Sequence, residues 1–550
     1  MPERRSEHII PQDVDQENKQ GSSFRTTDIL SVARALWPDR VVIKFGERNI
    51  TYETLYEKST KIAHGLSKIG VGRGDRVAML SGNSPEYIQA YFATALLGAE
   101  FVPLNFRSKH DQLTYMLNIV HAKVLLYADR NRQDAQAIRK DINPNIQYVS
   151  LGTDMEKKLE GELSYQDFIN QEEADEINDP NGTDEDVTVI MFTSGTTSFP
   201  KAVEQQHRSF TELLSFPEDL EKQETILITT PLFHVAALQG VFSSIAEGRT
   251  MVLLPDIKPE SLLQALANGV QRATLVPTQI EQIISHPDFP KHDLSNLRQI
   301  TYGGSQMPLN VILEAIKKLS QVSFVRAYGL TETGGTVAVL GSEAHKITGH
   351  ETEAELRKKQ YVLTYGIGKP IEGVKITIVD DAGNEIPPRE DENGGELGRI
   401  TIRTNRVMKG YLGRQKETKD ILDGNTLTTS DLGWIDNEGN VYCMGRADDM
   451  IIRGGEKIPP AEVETILLGN PEIADAGVIG ISDNEWGQAV AAVIVLNTGS
   501  KATQQEIIEF CRERLGSSKS PARIIFTKEL PRNAMGKLVR KDLQRLFVSS

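Results

Sequence analysis

Two segments of this 550-residue chain carry residue types suited to phosphate chemistry. One is Thr193-Ser194-Gly195-Thr196-Thr197-Ser198-Phe199-Pro200-Lys201, a hydroxyl-rich loop that ends in a lysine. Its hydroxyls, with the N–H groups that Gly195 helps expose, can surround phosphate oxygens, and Lys201 adds positive charge. No glycine precedes the lysine, so it is not a Walker A loop. The other segment is Pro531-Arg532-Asn533-Ala534-Met535-Gly536-Lys537-Leu538, near the C-terminus. Lys537 there offers a lone cation that a second domain could deliver to a reaction and withdraw. Two more runs have complementary chemistry. In Tyr328-Gly329-Leu330-Thr331-Glu332-Thr333 the ring can stack on a base, and the carboxylate can hold Mg²⁺ beside a triphosphate. In Thr429-Ser430-Asp431-Leu432-Gly433 one carboxylate can accept both hydroxyls of a ribose. Taken singly, each run is more often an ordinary turn or strand-end loop.

The elements that must position these residues follow from pattern. From Thr27 to about Tyr127 helical and strand-like stretches alternate, which predicts a mostly parallel sheet with helical crossovers. Val187 to Phe192 reads as a buried strand feeding directly into the hydroxyl-rich loop. Ala273 to Val276, Gln299 to Tyr302 and Val322 to Val325 are further strands, each ending where functional residues could stand. Gln171 to Asp186 reads as a solvated acidic connector. Past Gly373 the texture changes to short strands, and a break falls near Gly445 to Asp449. Residues 1–22 read as a disordered tail, 23–447 as a large N-terminal domain, and 448–550 as a small mobile α+β domain.

Composition bounds the function. A chain this long exceeds one ordinary core, and 39% hydrophobic with 25% charged residues suits a folded soluble protein. A net charge of −15 argues against nucleic-acid binding. Cys443 and Cys511 are too few for a disulfide framework and fit a reducing compartment. No apolar run suggests a membrane span, the N-terminus lacks a secretory pattern, and the last residues carry no peroxisomal address. A cytoplasmic location is the expectation.

In combination and in order, these motifs resemble those of the adenylate-forming superfamily: acyl-CoA synthetases, adenylation domains of peptide synthetases and luciferases. The resemblance spans about residues 25–545. It adds Pro231-Leu232-Phe233-His234 as the acyl-site motif, Tyr302-Gly303-Gly304-Ser305 as a nucleotide segment, Gly445 to Asp449 as a hinge, and Arg453 to Ile458 as the loop after it. It implies an α/β fold, with layered mostly parallel sheets and a distorted small barrel in the large domain. It implies two half-reactions: a carboxylate attacks the α-phosphate of ATP to give acyl-AMP and pyrophosphate, then a thiol displaces AMP.

The residue roles it implies are as follows. Lys537 bridges the substrate carboxylate and the nucleotide, and Glu332 binds Mg²⁺. Thr193, Ser194, Gly195, Thr196, Thr197, Lys201 and Thr331 hold phosphates. Tyr328 packs on adenine, with Gly329 beside it and Gly304 and Ser305 at the border. Asp431 and Arg446 bind ribose hydroxyls. Asp448 is the hinge residue, and Gly454-Gly455 leaves room for the arm of coenzyme A. His234 closes the acyl pocket; His207 supports the phosphate loop. Ser198 and Ala202 replace customary glycines, and Ser518 stands where many CoA ligases place an aromatic residue, with Trp486 as another surface for coenzyme A. Near the acyl motif no acid is available to pair with an ammonium, which disfavours an α-amino acid. Val235, Ala236, Ala237, Ser305, Ala327 and Thr336 are expected to line an apolar pocket for a fatty or aromatic acid, with the fatty acid preferred. Arg326 could meet a second carboxylate, or face solvent or the nucleotide. A carrier-protein thiol is the alternative acceptor, and a nucleotide-binding relative without activity is the third reading.

Overall fold

The computed structural model describes residues 23–152, 161–170, 177–193, 199–390, 396–532 and 538–548. The expected tail, Lys537 and the loop residues 194–198 lie outside them. The described strands form sheets of fourteen, eight and five members. In the eight-stranded sheet, Arg76–Leu80, Glu100–Pro103, Val124–Tyr127 and Gln147–Ser150 run parallel, as their alternation with helices predicts.

Alternate residues of a strand point to opposite faces, and the two large sheets use this to share a core. Val77 and Met79 turn one way, Ala78 and Leu80 the other. Ile226 and Ile228 join the same central cluster as Val77, while Leu227 faces away. Helices Tyr52–Lys68, Pro85–Leu96 and Val235–Ala246 contribute to that central cluster. The middle one is buried on every side, as expected of a helix packed between two sheets. Local signals start the first two. Thr51 and Ser84 accept from the N–H of Thr54 and Tyr87, and Pro85 occupies the first turn.

The fourteen-stranded sheet changes character along its length. Its parallel part runs from Val41–Phe45 through Thr250–Leu253, Thr225–Ile228, Arg272–Leu275 and Gln299–Gly303 to Ser323–Leu330. It then turns antiparallel through Gly335–Leu340 and Gly366–Pro370 into the short strands past Gly373, the region expected as a distorted barrel. Val441–Arg446 is the last strand of that sheet in sequence, and Ile451–Arg453 is the first of the five-stranded sheet. Asp448 lies between them, exposed, in the one-turn helix Ala447–Asp449. Asp449 pairs with Arg540 at 3.6 Å, and Arg540 also pairs with Glu464.

Two expectations need correction. The stretch read as a solvated connector is anchored in its described part, because Asp179 and Asp186 both pair with Arg73, and Asp179 is buried. Arg326 faces neither solvent nor an open pocket. It is buried on its strand and donates to the carbonyls of Leu363, Thr364 and Gly366 at 3.0 to 3.3 Å, satisfying the end of helix Glu353–Tyr365. No described helix is long and apolar enough to cross a membrane.

Candidate nucleotide and acyl site

The described candidate residues of the nucleotide site gather where the two large sheets meet. Val187–Thr193 and Lys201–Gln206 are antiparallel neighbours, with Thr193 directly opposite Lys201. Gly303 pairs with Ala327 across parallel strands, which sets Gly304 and Ser305 beside Tyr328 at the strands' carboxyl ends. Gly304 adopts φ +79°, a conformation that favours glycine. The chain then makes the turn Thr331–Thr333 and reverses through Gly334 into the next strand. A Cβ on Gly329 would lie 2.1 Å from the Gly335 carbonyl oxygen, so glycine is required for strand pairing itself.

Segment 408–412 stitches the two sheets together. Met408 N–H donates to the Glu332 carbonyl at 2.8 Å, Lys409 N–H to Glu204 and Leu412 N–H to Ala202. The Gln205 side chain donates to the Thr331 carbonyl. The Tyr411 hydroxyl donates to Glu332 Oε1 at 2.8 Å, and Lys201 Nζ lies 4.7 Å from the centroid of the same ring. Burial, then the Glu332 charge, raises the Tyr411 pKa, so the phenol keeps its proton and remains a donor.

At the other end, Asp431 and Arg446 face each other on neighbouring strands. The Tyr328 hydroxyl donates to Asp431 Oδ2 at 2.6 Å. Burial, then Asp431, holds the Tyr328 pKa well above its usual value. Arg446 donates to Ser430 Oγ at 2.6 and 3.0 Å and stands 4.0 Å from Asp431 Oδ1. One carboxylate oxygen is thus engaged by tyrosine, and the other lies toward arginine.

At the acyl motif, His234 precedes helix Val235–Ala246, with its ring 4.3 Å from that of Phe233. Burial, then the Arg107 charge, lowers its pKa to about 4. The ring is therefore neutral at pH 7. Its Nε2 is shielded and finds no hydrogen-bond partner among the described residues. The expected pocket lining needs revision. Val235 and Ala237 belong to the central core, so the helix turns Ala236, Gln239 and Gly240 away from it. Gln239, missed in the sequence, accepts from Thr336 N–H at 3.0 Å. Its only sequence signal is its spacing from Ala236. Ser305, Ala327 and Thr336 are half-buried.

His207 directly precedes the short helix Arg208–Thr211. It is buried, pushed down to about 3 by burial and the Arg25 charge, and bonded to Thr26 within a chain that runs on to Tyr91 and Thr188. In the five-stranded sheet, Gly454 and Gly455 form the exposed two-residue turn of a hairpin, both with positive φ. Trp486 is 46% exposed beside them, and Gly454 N–H donates to its carbonyl at 2.9 Å. Arg453 Cζ lies 5.5 Å from the Trp486 ring, and the same guanidinium donates to the Ser518 carbonyl at 2.7 Å.

Comparison with known proteins agrees with this arrangement. Residues 31–412 match the family described as AMP-binding enzyme, and residues 462–537 match the AMP-binding enzyme C-terminal domain. The chain belongs to the AMP-binding enzymes. A feruloyl-CoA synthase from an Amycolatopsis species is 32% identical over 93% of this chain and 96% of its own. A long-chain-fatty-acid–CoA ligase from Mycobacterium tuberculosis is 30% identical over 90% and 93%. The solved o-succinylbenzoate CoA synthetase from Bacillus subtilis, in complex with its acyl-adenylate intermediate, superposes with a TM-score of 0.78 at 27% identity, over 95% of this chain and 99% of that one. The chain is an adenylate-forming ligase of the acyl-CoA synthetase type, with a large N-terminal and a small C-terminal domain.

Proposed function

We propose that this ligase activates an apolar carboxylic acid, aromatic or fatty, with ATP and passes the acyl group to coenzyme A in the cytoplasm. In the first step a carboxylate oxygen attacks the α-phosphorus, and pyrophosphate leaves with the bridging oxygen. In the second, the thiol sulfur attacks the acyl carbon, the bond to AMP breaks, and the thiol proton goes to solvent. The observation that carries the reading is the assembly, at one sheet junction, of Tyr328, Asp431 and Arg446 on one side and Glu332, Tyr411 and Lys201 on the other.

Asp431 and Arg446 suit the ribose hydroxyls, since a carboxylate accepts both. Tyr328 orients Asp431 through its hydroxyl, and its ring borders the adenine position with Gly304. Thr193, Lys201 and Thr331 flank the phosphate position, and the hydroxyls of Ser194, Thr196 and Thr197 complete it on sequence grounds. Among the described residues, no group of three or more acids, histidines or cysteines could cage a metal. Mg²⁺ would be held by one carboxylate, Glu332, and by the nucleotide's own phosphates. When bound, Mg²⁺ would neutralise charge on the triphosphate. Lys537 would bring a further positive charge to the substrate carboxylate and α-phosphate.

His234, held neutral, can hydrogen-bond the acyl group through Nε2, which has no partner among the described residues. Its depressed pKa makes it a poor proton acceptor at neutral pH. The surface of helix Val235–Ala246 turned from the core carries alanine and glycine, which leaves room for a bulky acyl body. Gln239, already bonded to Thr336, offers no charge for an ammonium. The names of the matched relatives include both aromatic and fatty acids, so substrate class rests on assay. Pyrophosphate release across a panel of carboxylic acids, with and without coenzyme A, tests the reading. Release with aromatic or fatty acids, followed by thioester formation on CoA, supports it. Release with no acid refutes it, and transfer only to a carrier protein favours the alternative acceptor. Lys537→Ala is expected to abolish acyl-AMP formation while sparing thiol transfer from supplied acyl-AMP. Equal damage to both steps would contradict a lysine that serves only the first.

A further inference from the structure

Lys201 already has a carboxylate partner. Its Nζ lies 2.7 Å from Glu417 Oε2, on the helix Gln415–Lys419 that follows Tyr411. Glu417 Oε1 lies 3.0 Å from Arg414 Nη1, and Arg414 Nη2 donates to the Tyr115 hydroxyl at 2.9 Å. The Tyr115 ring stacks on Phe199 with centroids 4.6 Å apart. Two side chains bordering the hydroxyl-rich loop, Phe199 and Lys201, are thus held by one cluster from elsewhere in the chain. At its centre stands a carboxylate between two cations, outside the motifs named above.

We propose that Glu417 is a built-in competitor for the phosphate position. It pairs with Lys201 when no nucleotide is bound, and it yields that ammonium to the triphosphate, so that it sets nucleotide affinity. The proposal rests on the reading that Lys201 meets ATP phosphates. The chemistry is an exchange of like for like, because carboxylate and phosphate both offer anionic oxygens to an ammonium. The Lys201 and Glu417 side chains are 25% and 40% exposed. Water screens a pair so placed, which makes it weak and readily exchanged for a more highly charged partner. The converse matters for turnover. Once the α-phosphorus bond has broken, re-formation of the Lys201–Glu417 pair helps pyrophosphate to leave. Arg414 stays anchored to Tyr115 throughout and marks the place to which Glu417 returns. If Glu417 served only to aim Lys201, its removal would weaken ATP binding. A competitor's removal strengthens it, so the sign of the change decides.

The test measures ATP and pyrophosphate binding by calorimetry on the full chain, with thermal unfolding alongside to confirm folding. Glu417→Gln, which keeps shape and removes charge, is expected to tighten both roughly two- to fivefold, the scale of an exposed ion pair. Glu417→Asp should stay near the parent value. Lys201→Ala should weaken ATP binding, and adding Glu417→Gln to it should change nothing further, because the competition is for that lysine. Unchanged or weaker ATP binding in Glu417→Gln, with Lys201→Ala still weakening it, overturns the competitor and leaves the phosphate reading intact. Unchanged binding in Lys201→Ala overturns both.

Discussion

At the ribose end of the site, Asp431 and Arg446 sit opposite each other on adjacent strands, and Tyr328 reaches Asp431 from a third strand. At the phosphate end, Lys201, Glu332 and the neighbouring residues Tyr411 and Glu417 come from three separate stretches of the sequence and are joined by an ion pair, a ring contact and a hydrogen bond. The ribose end is fixed by sheet register, and a ligand need only add to it. The phosphate end is held by charges that a ligand must displace. The contrast suits a reaction in which the sugar keeps its place while pyrophosphate has to leave.

Four substitutions bear on that contrast, taken from the largest effect to the smallest. Glu332→Gln removes the proposed Mg²⁺ carboxylate and should cut acid-dependent pyrophosphate release by about 10²-fold or more. Retention of Mg²⁺-dependent activity would remove Glu332 from the phosphate end. Asp431→Ala should raise KM for ATP by roughly 10- to 100-fold, because hydrogen bonds to a charged acceptor are lost. An unchanged KM would mean that ribose binds elsewhere. Tyr328→Phe should raise KM for ATP roughly tenfold or less, since it frees Asp431 without removing it. Parallel kinetics of Tyr411→Phe sharpen the comparison: its loss should appear in kcat, where the Glu332 carboxylate acts. A shift in KM alone would make the two ends equivalent.

The smallest effect is acid sensitivity of the frame. His207 and His345 are buried neutral, at about 3 and 4 respectively, mainly through burial. The unfolded chain takes up protons below about 6.5 that these folded histidines refuse. Stability is therefore unaffected above that pH and falls as pH drops from 6.5 toward 4. Chemical denaturation at pH 6.5 and 5 should show this, and His345→Gln should flatten the slope. An unchanged slope would indicate that His345 is already protonated when folded.

Much of the site was legible because its chemistry is local. The tyrosine, glycine and acid of Tyr328 to Thr333, and the acid of Thr429 to Gly433, suggest their chemistry from type and spacing, although each run is weak alone and only their ordered combination carries the reading. Tyr411, Gln239 and Glu417 carried no such signal, since an aromatic, an amide or an acid on a short helix has many uses. Val235 and Ala237 are core rather than pocket residues, a distinction the sequence does not carry because it shows the period of a helix but not which side meets the core. Arg326 misled for a related reason: its partners are backbone carbonyls near the end of a helix nearly forty residues away, and every residue has a carbonyl.

By itself the sequence determined the alternation of helices and strands, the succession of motifs and the chemistry that each motif could support. All of these depend on residue type and short-range spacing, which the chain carries whatever its fold. The tertiary structure alone decided that segment 408–412 would bind the two sheets at Glu332, that Asp431 would meet Tyr328, and that Glu417 would hold Lys201. Such pairings join segments tens to hundreds of residues apart, and only the packing of the shared core and the register of the strands bring those particular atoms within hydrogen-bond reach.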